Sequence, residues 1–102
     1  MKGMIIMSKE YVIKVTRLKK VFGFAIPFTL LVDDKEIGSL SNGKSFDCIV
    51  TEGMHKVTFK STEKDVHVDV TLSEEHQKVE IIITAAMGII AARPNIKEVK
   101  YM

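Results

Sequence analysis

From Val66 to Leu72 the chain alternates without a slip: Val66, Val68, Val70 and Leu72 against His67, Asp69 and Thr71. Successive side chains of a strand point to opposite faces, so this segment has one face to bury and one to hydrate. A helix cannot use a period of two. The same alternation recurs along the chain, and helical periodicity is nearly absent, which commits the fold to β-structure.

Tyr11, Ile13 and Val15 alternate with Lys14 and Thr16, predicting a first strand from about Tyr11 to Lys19. Phe28, Leu30 and Val32 mark a second. Asp33-Asp34-Lys35-Glu36 reads as a hairpin turn, because Asp tolerates left-handed backbone. A short return strand carries Ile37 and Leu40. Ser41-Asn42-Gly43 is a further turn, with Asn-Gly suited to positive φ at both central positions. Lys44 to Val50 follows with Phe46, Cys48 and Val50 on one face. Glu52-Gly53 breaks it, and Val57 and Phe59 face inward on the next strand. After Val66–Leu72, Ser73-Glu74-Glu75-His76 turns into a strand with Val79, Ile81 and Ile83. Ala85 to Ala92 is small and apolar, broken at Gly88. Arg93-Pro94-Asn95 is expected to turn, and Ile96 to Tyr101 to form the last strand.

About seven to nine short strands at this spacing predict an antiparallel β-sandwich of immunoglobulin-like arrangement, with a small closed β-barrel as the alternative. The single domain is expected over residues 9–102, with 1–8 a short N-terminal tail that contains a second candidate start at Met7.

Composition narrows function by exclusion. One cysteine, Cys48, rules out an intramolecular disulfide and a Cys-rich zinc site. A lone thiol suits a reducing compartment. No apolar run reaches the roughly 18 residues of a membrane helix, and no secretory signal pattern is present at the N-terminus. These readings place the protein in the cytoplasm. A net charge of +2 declares no polyanionic partner.

The run Val32-Asp33-Asp34-Lys35-Glu36-Ile37-Gly38 resembles the V-D-G-K-x-V-G hairpin of PEGA-like and related uncharacterised small bacterial β-sandwich domains. Asn42-Gly43 and Glu52-Gly53-Met54-His55-Lys56-Val57 follow at similar spacing. The likeness covers about residues 12–60 and is carried by turns. Asp34 replaces the usual glycine, Thr51-Glu52 replaces the proline, and the Pro-Glu-Gly-Ala tetrad is absent. The resemblance implies an accessory or surface-associated module and points away from an enzyme.

The residues themselves supply little chemistry. His67 and Asp69 share a strand face, where a surface divalent site competes with the commoner solvated face. His55 is expected to pack at a strand start or to hydrogen-bond a turn. Cys48 falls on the core face, where a thiol acts as a small hydrophobe. No nucleophile–base constellation, nucleophile elbow or phosphate loop is present, so no catalytic, metal or cofactor residue is assigned.

Two features remain as interaction candidates. Lys14, Arg17, Lys19 and Lys20, followed by Phe22 and Phe24, mix cations and aromatics as single-strand nucleic-acid grooves and anionic membrane surfaces require. The competing reading is an edge strand whose lysines block edge pairing. Phe22-Gly23-Phe24-Ala25-Ile26-Pro27-Phe28 either folds inward or forms an apolar partner patch. The leading expectation is a non-catalytic module for protein–protein contact, self-associating through a sheet edge or the Ala85–Ala92 surface. A nucleic-acid or lipid-headgroup binder comes second and a small enzyme third.

Overall fold

The computed structural model describes residues 10–20, 26–87 and 92–102. It is all-β, with strands β1 (Tyr11–Arg17), β2 (Phe28–Val32), β3 (Lys35–Leu40), β4 (Ser45–Val50), β5 (Gly53–Lys60), β6 (Val66–Leu72), β7 (Lys78–Met87) and β8 (Ala92–Tyr101). One sheet, sheet A, runs β4-β1-β7-β8; the other, sheet B, runs β3-β2-β5-β6. Two separate four-stranded sheets make a sandwich rather than a closed barrel.

The alternation in the sequence becomes the core. β1 contributes Tyr11, Ile13 and Val15, β2 Phe28 and Leu30, β5 Val57 and Phe59, β6 Val70 and Leu72, and β7 Val79, Ile81 and Ile83. Phe46, Cys48 and Val50 of β4 pack against this cluster half-buried, on the face their spacing predicts. The Phe46 ring lies where a side chain on Gly38 of β3 would be, 3.0 Å from an added Cβ. This closes the β3–β4 side of the sandwich.

Asp33 and Asp34 both take positive φ, 53° and 67°, giving the two-residue type I′ hairpin that matches strand twist. In the second turn only Gly43 does so, at 74°. Lys44 N–H donates to Ser41 O at 3.0 Å, so one left-handed residue suffices to close it.

Three expectations change. β1 ends at Arg17 and lies inside sheet A between β4 and β7, so it is not an edge strand. Its pair with β7 is parallel, Val12 opposite Lys78 through Arg17 opposite Ile83. A parallel partner needs a long crossover, and all of sheet B is inserted between these two strands. Arg93-Pro94-Asn95 is not a turn but part of β8, with Pro94 opposite Ala85. β8 is an edge, where a residue without an N–H is tolerated. The Gly88 break lies outside the described residues.

Candidate interaction surface

The basic stripe is dispersed by strand parity. Lys14 and Arg17 are three apart and project from opposite faces of β1. Arg17 leaves the stripe altogether: it is fully buried, following Tyr11, Ile13 and Val15 inward. Its Nη1 donates to Leu40 O at 2.9 Å and Ile26 O at 3.2 Å, and its guanidinium sits 4.1 Å from the centre of the Phe28 ring. Burial pulls its pKa below the ordinary arginine value. Arg17 therefore ties the start of β2 and the end of β3 to β1.

Lys14 is on the outer face of sheet A, in register with Asp47 of β4 and Glu80 of β7, and Glu80 is in register with Lys100 of β8. The row Asp47–Lys14–Glu80–Lys100 alternates in sign across the whole sheet. Opposite charges in register on neighbouring strands offset one another, so this row as a whole carries no net charge. The adjacent row is polar too: Ser45 Oγ donates to Thr16 Oγ1 at 3.4 Å, and Thr16 Oγ1 donates to Glu80 Oε2 at 2.9 Å.

Lys19 and Lys20 are exposed beyond the end of β1. Asn42 holds that segment as a peptide group would, accepting from Lys20 N–H and donating to Lys20 O, both at 2.9 Å. This brings exposed Lys44 to the same end of the sandwich. Phe22 and Phe24 lie outside the described residues.

Sequence reasoning missed the Asp33–His55 link. His55 Nδ1 bonds Asp33 Oδ2 at 2.6 Å and Nε2 bonds Thr51 O at 2.7 Å. Thr51 O and an ionised Asp33 carboxylate both accept, so the arrangement favours a ring that donates from both nitrogens, the imidazolium form. Burial works against that charge, but the Asp33 bond, the Thr51 bond and the Asp33 charge outweigh it and raise the His55 pKa. The His55 bond lowers that of Asp33, helped by Lys56 N–H donating to Asp33 Oδ1 at 2.9 Å. The cluster pins the β2–β3 hairpin to β5, which makes it a structural clasp. His67 and Asp69 are exposed on β6. Among the described residues no three His, Cys, Asp or Glu side chains are grouped to hold a metal ion.

The four edge strands differ in how they are closed. β3 carries a bulge opposite Leu30/Leu31 and begins Lys35-Glu36. β8 carries Pro94, a bulge opposite Ile82/Ile83, and Arg93, Lys97 and Lys100. Tyr101 reaches from β8 to β6, where its hydroxyl accepts from Thr71 N–H at 3.0 Å, and its ring contacts His76 at 5.4 Å. Bulges, proline, lysine and a covering residue are the usual means of blunting an edge. β4, Ser-Phe-Asp-Cys-Ile-Val, has none of these among the described residues, and its register with β1 runs unbroken from Tyr11–Val50 to Thr16–Ser45.

The hydrogen-bond phase of β4 is fixed at its start. Arg17 N–H donates to Lys44 O at 2.9 Å, so residues 17 and 44 form a bonded pair. Alternation then turns Phe46, Cys48 and Val50 towards β1 and leaves the N–H and C=O of Ser45, Asp47 and Ile49 facing away from it. Their side chains are exposed, and Ile49 is 67% accessible. Burial raises the Cys48 thiol pKa, with the Asp33 charge adding to it.

No family model, curated protein or solved structure matches this chain. Among the described residues no helix is long and apolar enough to cross a membrane.

Proposed function

We propose that this protein is a non-catalytic β-sandwich module that works by protein–protein contact, made by adding a strand to the edge of β4. The observation that carries this reading is the graded protection of the edges: β3 and β8 are bulged and carry lysine or proline, Tyr101 covers the Thr71 N–H of β6, and β4 offers six outward main-chain groups on an unbulged strand with none of these features among the described residues. Strand addition uses main-chain bonds for affinity and alternate side chains for selectivity. An exposed isoleucine beside those groups suits that use. The immunoglobulin-like and PEGA-like likenesses belong to this reading, supported by the two packed sheets and the turns at Asp33-Asp34 and Asn42-Gly43. A cytoplasmic setting goes with it, supported by the single thiol.

The test compares stoichiometric protein partners, self or other, recovered by tagged wild type and by Asp47→Pro. Asp47 N–H faces away from β1, so proline there blocks the edge and leaves the β1 ladder intact. Loss of the partner with the variant supports the reading; equal recovery overturns it. A second reading, binding of an anionic surface, keeps Lys19 and Lys20 and gains Lys44 from the Asn42 clasp. It requires binding that falls steeply with salt and is lost on charge reversal at Lys19 and Lys20.

A further inference from the structure

We infer that the occupant of the β4 edge is β4 of a second copy, paired antiparallel about a two-fold axis through Cys48. This rests on the edge reading above and names its partner and register.

The argument begins with phase. Ser45, Asp47 and Ile49 supply the outward bonding groups, so an antiparallel copy must match odd residues with odd residues. A two-fold axis makes each contact occur twice. Axes near either end of β4 pair at most three of its residues with those of the other copy. Only axes through Asp47 or Cys48 engage five, Ser45–Ile49 or Phe46–Val50.

Charge separates these two. An axis through Asp47 sets the Asp47 carboxylates of the two copies directly opposite, and like charges directly opposite are destabilising. An axis through Cys48 sets Asp47 opposite Ile49 of the other copy. It also brings Phe46 opposite Val50 on the inner face, where both already pack half-buried against the core. At the strand ends Ser45 falls opposite Thr51, a hydroxyl pair. Both are exposed in the single chain. The segment Ser-Phe-Asp-Cys-Ile-Val-Thr from Ser45 to Thr51 thus pairs with its own reverse without opposing like charges. Phe46 meets Val50, Cys48 meets Cys48 and hydroxyl meets hydroxyl, while Asp47 meets Ile49 with no like charge opposed. The product is one continuous sheet made of sheet A from both copies.

Cys48 reports the register. In this pairing the two Cys48 residues form a non-bonded pair with Cα atoms about 4.5 Å apart, a separation a disulfide spans. Diamide would take two electrons and two protons from the two thiols, closing one S–S bond and becoming its hydrazine form.

The experiment measures sedimentation from micromolar to millimolar concentration, with diamide cross-linking, for wild type, Ile49→Glu, Ile49→Lys and Cys48→Ser. Ile49 is mostly exposed, so its variants keep the core, which circular dichroism checks. Wild type is expected to dimerise and cross-link through Cys48. Ile49→Glu faces Asp47 twice and should weaken the dimer about tenfold, whereas Ile49→Lys should hold or tighten it. A dimer that Asp47→Pro disrupts, but that neither cross-links nor distinguishes Glu from Lys, overturns the register and leaves the edge reading standing. A dimer indifferent to Asp47→Pro overturns both. A monomer throughout overturns the second-copy proposal. In that case slow exchange at the Ser45, Asp47 and Ile49 amides shows an edge already closed and overturns the edge reading as well. Fast exchange leaves the edge to another protein, which the tagged recovery then tests.

Discussion

The Asp33 carboxylate and the His55 ring meet at 2.6 Å across 22 residues of sequence, and the contact favours the charged form of both. The depressed Asp33 pKa contributes stability above its unfolded value near 3.8, lost as pH falls through the folded one. The raised His55 pKa contributes stability that is complete below the unfolded value near 6.5 and lost as pH rises through the folded value. The clasp is therefore strongest between about pH 4 and 6.5.

Asp33→Asn keeps a residue that tolerates left-handed backbone and removes the charge. It should cost about 1 kcal/mol near pH 5.5, because a charge-assisted bond is lost and half of the Asp33 side chain is already solvated. The His55 pKa should fall, since burial then has less to oppose it. Denaturation across pH and ring-proton NMR titration measure both effects.

Arg17→Met should destabilise by about 3 kcal/mol, since it orphans the Leu40 and Ile26 carbonyls and removes the contact with Phe28. Urea unfolding measures this. A loss of polyanion binding without loss of stability would instead place Arg17 at the surface.

Lys14→Glu should cost about 1 kcal/mol at low salt by setting three carboxylates side by side from Asp47 to Glu80. The loss should shrink as salt is raised, because these groups are partly hydrated. Thermal unfolding at two ionic strengths checks it.

Tyr101→Phe removes the acceptor for Thr71 N–H at the β6 edge. Stability should change by less than about 1 kcal/mol, while the Thr71 amide exchanges faster. Amide exchange by NMR reads this directly.

Strand positions, the core face and the Asp33-Asp34 turn were legible in the sequence because period-two alternation and turn chemistry are local. Arg17 was legible in principle: counting by twos from Tyr11 lands on it. Grouping it with Lys14 by charge set parity aside. The Asp33–His55 clasp was not legible, since nothing local joins a hairpin turn to a strand 22 residues on. Nor was the β4 edge. The Ser45–Thr51 pattern can be read from the sequence, but it acquires meaning only once strand order leaves β4 without a second neighbour among the described residues. Nor were the neighbours of Lys14 legible, since tertiary register sets Asp47 and Glu80 beside it.

The most direct measurement is residue-resolved amide exchange of the full chain over a concentration series. The account predicts protection that grows with concentration and is confined to the amides of Ser45, Asp47 and Ile49 and their immediate flanks. Protection growing instead along β3, β6 or β8, or at none of the four edges, would contradict it.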